Sequence, residues 1–162
     1  MTWDERIEAV WADDTLTGEE RIERIDRLAA ERETDDPSAL FERAGARDSA
    51  GLEGDAEQLY RRAIAGGLDP YRRARARIQL ASTIRNLGKT DEALALLEEA
   101  YRESRDGGAL ADESAAFYAL ALASAGDPVH GLSIALETLA PHLSGYTRSV
   151  TGYARELVDP KA

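Results

Sequence analysis

The chain has two histidines, His130 and His142, twelve residues apart, and neither lies in an H-E-x-x-H or E-x-x-H run. With no cysteine either, there is no ligand set for a zinc or di-metal centre, so no metal and no cofactor is expected. No phosphate-cradling G-x-x-x-x-G-K-[ST] or G-x-G-x-x-G occurs, and Gly51, Gly54, Gly66 and Gly67 read as turn residues. No serine occupies a G-x-S-x-G elbow. The acidic pairs Asp13-Asp14, Asp35-Asp36 and Glu98-Glu99 are adjacent, so their carboxylates diverge and cannot flank one bond. Glu20 and Arg24, Glu23 and Arg27, and Glu98 and Arg102 stand four apart, the spacing of solvated, ion-paired helix faces. Catalysis is therefore not expected.

The chemistry that remains is recognition. Residues 61–86 carry seven basic side chains and one acidic, in a chain of net charge -11 whose first 36 residues hold 13 acidic and 5 basic. The overall charge repels phosphate backbones and anionic bilayers, which argues against nucleic-acid and membrane partners, while the positive stretch can still attract an anionic group locally. Most of these arginines follow Pro70, where positions divide at helical spacing into two faces. Arg77, Leu80, Ala81, Ile84 and Leu87, with Ala74 at the edge, form the side expected to pack, the Arg77 stem lying along it. Opposite stand Tyr71, Arg75, Gln79, Ser82 and Asn86, with Ile78 and Arg85 at the margin. Such a row can hydrogen-bond an extended peptide and hold an anionic group.

The elements that must position these residues are helices. Ala, Glu, Lys, Leu and Arg supply 85 of 162 residues, against 11 for Val and Ile, so a β-rich fold is excluded. A hydrophobic content of 43% is enough for a core, and the length suits a single domain over 1–162. The absence of cysteine, of a basic flank before an apolar run near Met1, and of any apolar stretch near ~20 residues makes the cytoplasm the expected compartment.

Internal periodicity organises the helices. Gly51, Gly88 and Gly126 are 37 and 38 residues apart, each preceded by an alanine seven residues earlier (Ala44, Ala81, Ala119) and followed five later by Ala56, Ala93 or Gly131. Small residues at matched places let two helices approach closely, so three helical hairpins are expected. Asp36-Pro37, Asp69-Pro70 and Asp127-Pro128 each place a capping carboxylate before a proline suited to the first helical turn. Ahead of the repeats, Trp3, Ile7, Val10 and Trp11 share a helical face, and Thr17 with Glu20 forms a capping box, giving an N-terminal hairpin over 1–35. After them, Tyr146, Val150, Tyr153 and Leu157 share the face of a helix over 143–158 expected to cap the stack. About nine helices result.

The residues LASTIRNLGKTDEALALLEEA, Leu80 to Ala100, and the helix from Leu40 to Gly51 resemble the tetratricopeptide repeat family, over roughly 37–142. A group of short bacterial tetratricopeptide proteins is similar in its longer period. The period exceeds the family's usual 34 residues, Arg43 stands where leucine is usual, and Gly131 with Thr138 weakens the last unit. The resemblance implies an all-α, right-handed superhelical solenoid of three hairpins, with the concave groove lined by the face of each first helix that carries Tyr71 and Arg75. The groove positions so implied are Phe41, Asp48, Tyr71, Arg75, Gln79, Ser82, Arg85, Asn86, Phe117, Leu120 and Ser124, with Gly45, Ser49 and Glu113 at matching places. The basic and amide clamp some members use for chaperone tails is not reproduced, because Phe41, Gly45, Glu113 and Phe117 stand in its positions. The implied function is non-catalytic binding of a peptide or partner protein. Two alternatives stand beside it: recognition of a phosphorylated or nucleic-acid ligand by Arg72, Arg73, Arg75 and Arg85, and self-association through the tryptophan or tyrosine faces.

Overall fold

The computed structural model describes residues 1–159, which contain nine α-helices, one 3-10 turn and no strand. The helices are α1 (Trp3–Trp11), α2 (Gly18–Ala29), α3 (Pro37–Ser49), α4 (Glu53–Ala65), α5 (Pro70–Asn86), α6 (Thr90–Ser104), α7 (Ala111–Ser124), α8 (Pro128–Leu139) and α9 (Thr147–Glu156), with the 3-10 turn at Ala140–His142. The chain divides into two units, Met1–Gly88 with α1 to α5 and Lys89–Ala162 with α6 to α9.

The helix starts follow from the predicted caps. Asp36, Asp69 and Asp127 accept the backbone N–H of Ala39, Arg72 and His130 at 2.8, 2.9 and 3.2 Å, each with proline opening the helix. A cap of this kind is worth about 1 kcal/mol. Thr17 and Glu20 form the expected capping box, and Thr2 with Glu5 forms a second. Gly51, Gly88 and Gly126 turn the chain between helices with φ of 77°, 81° and 95°, backbone that side chains with a Cβ avoid.

In the first unit α3 packs against α2, α4 and α5, and α1 lies on α2. Trp3, Ile7 and Val10 of α1 are buried with Ile25 and Ala29 of α2 and Ala39 and Ala46 of α3. The Trp3 indole N–H donates to the Leu28 carbonyl at 2.8 Å, so the ring is anchored as well as buried. Arg43, the departure from the usual leucine, donates to Asp26 Oδ1 at 2.9 Å while Arg47 reaches Asp26 Oδ2 at 2.8 Å. Burial alone would raise the Asp26 carboxyl; hydrogen bonds from Arg47 and Arg43 outweigh it and hold the group below the usual carboxylate range. The N-terminal hairpin thus gives Arg43 a partner that a lone repeat would lack.

Helix α5 is covered more widely than its single predicted packing face. Leu80, Ala81 and Ile84 are buried as expected, but so are Ala76, Ile78 and Thr83, because α5 packs on both α3 and α4. Leu87 is exposed, lying at the helix end as its C-cap.

In the second unit α7 packs against α6 and α8, and α9 covers α8 and the 3-10 turn. Gly131 is where α8 meets α7 most closely: a Cβ there would lie 2.5 Å from the Ala119 carbonyl oxygen. The glycine that looks like a weakening of the repeat is what allows the crossing. The capping face of α9 differs from the expected one. Ala154 is fully buried and Val150 half-buried, whereas Tyr146, Tyr153 and Leu157 are exposed. Tyr146 precedes the first helical residue in the left-handed region, φ 65°, which takes its ring off the helix face. Leu157 is the C-cap, beyond the last helical turn.

Candidate functional site

The α3–α5 face of the first unit carries Tyr71, Arg75, Gln79 and Ser82 along α5, with Arg85 and Asn86 exposed at its end. Tyr71 is 52% exposed and Arg75 half-buried. Two positions of α3 expected in the groove are engaged in packing. Phe41 is 2% exposed, buried against Tyr60 at 6.1 Å between ring centroids, and meets this face only through its ring beneath Arg75. Asp48 is half-buried, with Oδ1 accepting the Thr83 hydroxyl at 2.9 Å and Oδ2 the Tyr60 hydroxyl at 3.4 Å. Burial raises its carboxyl above the usual range against the pull of those hydrogen bonds. Asp48 therefore joins α3 to α4 and α5.

Why Gly45 is covered is visible in α1. The Trp11 ring lies over Gly45, where a Cβ would meet Trp11 Cζ2 at 3.2 Å, and its indole N–H donates to Glu42 Oε2 at 2.7 Å. Asp4 of the same helix pairs with Arg72 at 2.5 Å. The N-terminal hairpin thus occupies the part of this face that α3 would otherwise present, and the open part is the α5 row.

That row is built around Arg75. Its guanidinium carbon stands 5.2 Å from the Phe41 ring centroid and 5.9 Å from that of Tyr71, so two aromatic rings fix its position. Among the described residues it has no hydrogen-bond or ion-pair partner. Other basic groups of residues 61–86 are engaged: Arg61 with Glu57, Arg62 with Asp35, Arg72 with Asp69 and Asp4, and Arg73 with the Leu68 carbonyl. Arg85, like Arg75, has no acidic partner among the described residues. One turn along from Arg75, Gln79 Oε1 is buried without a hydrogen-bond partner among the described residues. A guanidinium fixed by two rings and free of an ion pair suits a ligand bearing an anionic group.

Sequence reasoning missed Glu42, Trp11 and Thr83. A signal for Glu42 was available. The helical neighbours of Glu42 three and four positions away, Ser38, Ala39, Gly45 and Ala46, are all small, which marks its side of α3 as one that another element can approach closely.

Phe117, Leu120 and Ser124 belong to the other unit. They share an exposed face of α7 with Glu113; Leu120 is 57% exposed and the Ser124 hydroxyl donates to its carbonyl at 3.0 Å. His142 Nε2 lies 3.0 Å from Asp112 and His130 Nδ1 3.6 Å from Asp127, two separate pairs. No group of three or more potential metal ligands occurs among the described residues, and no described helix is long and apolar enough to cross a membrane.

Helices packed on their neighbours, α3 with α4 and α7 with α8, in a chain with a sequence period of 37 to 38 residues define an all-α helical-repeat protein. A family model described as Tetratrico peptide repeat matches residues 37–157. The chain belongs to the tetratricopeptide repeat family. No curated protein and no solved structure matches it.

Proposed function

We propose that this chain is a non-catalytic module that binds an extended, anionic segment of a partner protein along α5, with Arg75 as the anchor. Tetratricopeptide repeats are in general non-catalytic and bind protein or peptide partners, which sets the class. The observation that carries the finer reading is Arg75, held between Phe41 and Tyr71 with no hydrogen-bonded or ion-paired acid among the described residues. In a protein of net charge -11, a cation left unpaired while its neighbours find acids is a group available to a ligand. Arg85, exposed at the far end of the row, supplies a second charge. The tryptophan half of the self-association alternative loses support, because Trp3 is buried in the first unit and Trp11 is bonded to Glu42.

The test is an array of peptides of equal length and acidic, neutral or basic character, probed with the full chain. Acidic peptides should be retained, and Arg75→Gln should weaken them about thirtyfold or more, the loss of an anchor worth about 2 kcal/mol. Its helical circular dichroism should persist, since losing the stacking on two rings costs about 1 kcal/mol. Equal retention by Arg75→Gln, or preference for basic peptides, would overturn the reading.

A further inference from the structure

Among the described residues Glu42 is the one buried charged side chain, 6% exposed. Its single hydrogen bond is the one from the Trp11 indole, and a carboxylate can accept several, so the charge is thinly solvated by the protein. The charged groups acting on it come from two elements: Arg75 and Arg72 of α5, which favour the carboxylate, and Asp4 of α1, which opposes it. The Tyr60 hydroxyl of α4 also interacts with it, and burial keeps that hydroxyl protonated. Arg72 is already shared between Asp4 and Asp69. Both histidines lie in the other unit.

After the Trp11 hydrogen bond, the compensation of Glu42 comes from Arg75 and Arg72, and of these two Arg75, stacked on the ring of the neighbouring Phe41, is the one with no ion pair of its own. An anion seated on Arg75 takes that share of the compensation away and adds a negative charge nearby. The neutral carboxyl is tolerated in the same place, because its carbonyl oxygen still accepts the Trp11 N–H. We propose that anion binding at Arg75 is coupled to protonation of Glu42 from solvent, so that the face captures anions more strongly as the pH falls and releases them as it rises. This rests on the reading of Arg75 as an anion anchor and adds its regulation. Burial already raises the Glu42 carboxyl above the usual carboxylate range, which brings its titration toward conditions where the coupling operates.

Sulfate is the probe, since it keeps its full charge across the range where carboxyls titrate and any pH dependence belongs to the protein. The full chain is titrated with sodium sulfate at constant ionic strength from mildly acidic to neutral pH. NMR follows the Arg75 side-chain N–H and the Glu42 and Asp48 side-chain carboxyl carbons. Sulfate should shift the Arg75 signal and raise the Glu42 titration midpoint by about one pH unit, equivalent by linkage to about tenfold tighter sulfate binding when Glu42 is protonated. Glu42→Gln should still bind sulfate at Arg75, with the pH dependence gone. Sulfate that binds Arg75 with one affinity at every pH, or a midpoint that moves at Asp48 and not at Glu42, overturns the coupling while leaving the anchor standing. Sulfate that leaves the Arg75 signal unmoved, or binds Arg75→Gln equally well, overturns the anchor and the coupling with it. Should Glu42→Gln not fold, the wild-type midpoints with and without sulfate decide.

Discussion

Glu42 is buried with one hydrogen bond, from the Trp11 indole, and feels Arg75 and Arg72 without pairing with either. The pH response of stability follows. The folded-state pKa of Glu42 is raised, chiefly by burial, so between the ordinary glutamate value and the raised one the folded chain holds a proton the unfolded chain has lost. Stability from this group is greatest below that interval and falls as pH rises through it. Urea unfolding of the wild type and Glu42→Gln over this range should show the difference moving in favour of the variant from acid to neutral pH. Comparing the two cancels Asp26, whose lowered carboxyl acts with the opposite sign, losing its contribution as pH falls. A difference that stays constant with pH would mean the Glu42 charge is better solvated than its burial indicates. Glu42 could have been suspected from its small neighbours in α3; its donor could not, since Trp11 lies 31 residues away.

At the scale of elements, the hairpins depend on how closely paired helices approach. Gly131 has the Ala119 carbonyl where a Cβ would go, whereas Gly152, within α9, has nothing within 4 Å of that point. Gly131→Ala should therefore cost about 1 to 3 kcal/mol in thermal denaturation, as overpacking does. Gly152→Ala should stabilise by about 0.4 to 1 kcal/mol by restricting the unfolded chain. If the two changes have the same sign, the α7–α8 crossing is looser than these distances imply. The helix starts were legible because a capping aspartate and its proline act within one turn. The sides of α5 were not: its own periodicity marks one apolar face, and the burial of Ala76 and Thr83 comes from α3 and α4, whose positions the α5 sequence does not contain.

For the whole molecule, charge decides between ligand classes. Arg75 and Arg85 are the arginines of residues 61–86 that the structure leaves without a hydrogen-bond or ion-pair partner among the described residues. A single-stranded nucleic acid held by these two would release few counterions, with a log-log salt slope of about -1.4. Against a net charge of -11 this is too little for useful affinity, so filter binding of mixed-sequence single-stranded RNA at physiological salt should show no retention. Retention with a steep salt slope would require a cationic surface beyond these two side chains. The same contrast separates what each level of description decided. Helical class, repeat period, turns and caps were determined by the sequence itself, because each depends on residue types a few positions apart and on the fixed geometry of one helical turn. Which side of α3 stays open, and which arginine stays free, was decided only in the tertiary structure. Asp4 reaches Arg72 across 68 residues of chain, and Trp11 covers Gly45. Those pairings are selected by how the hairpins pack, and local spacing carries no record of a partner that distant.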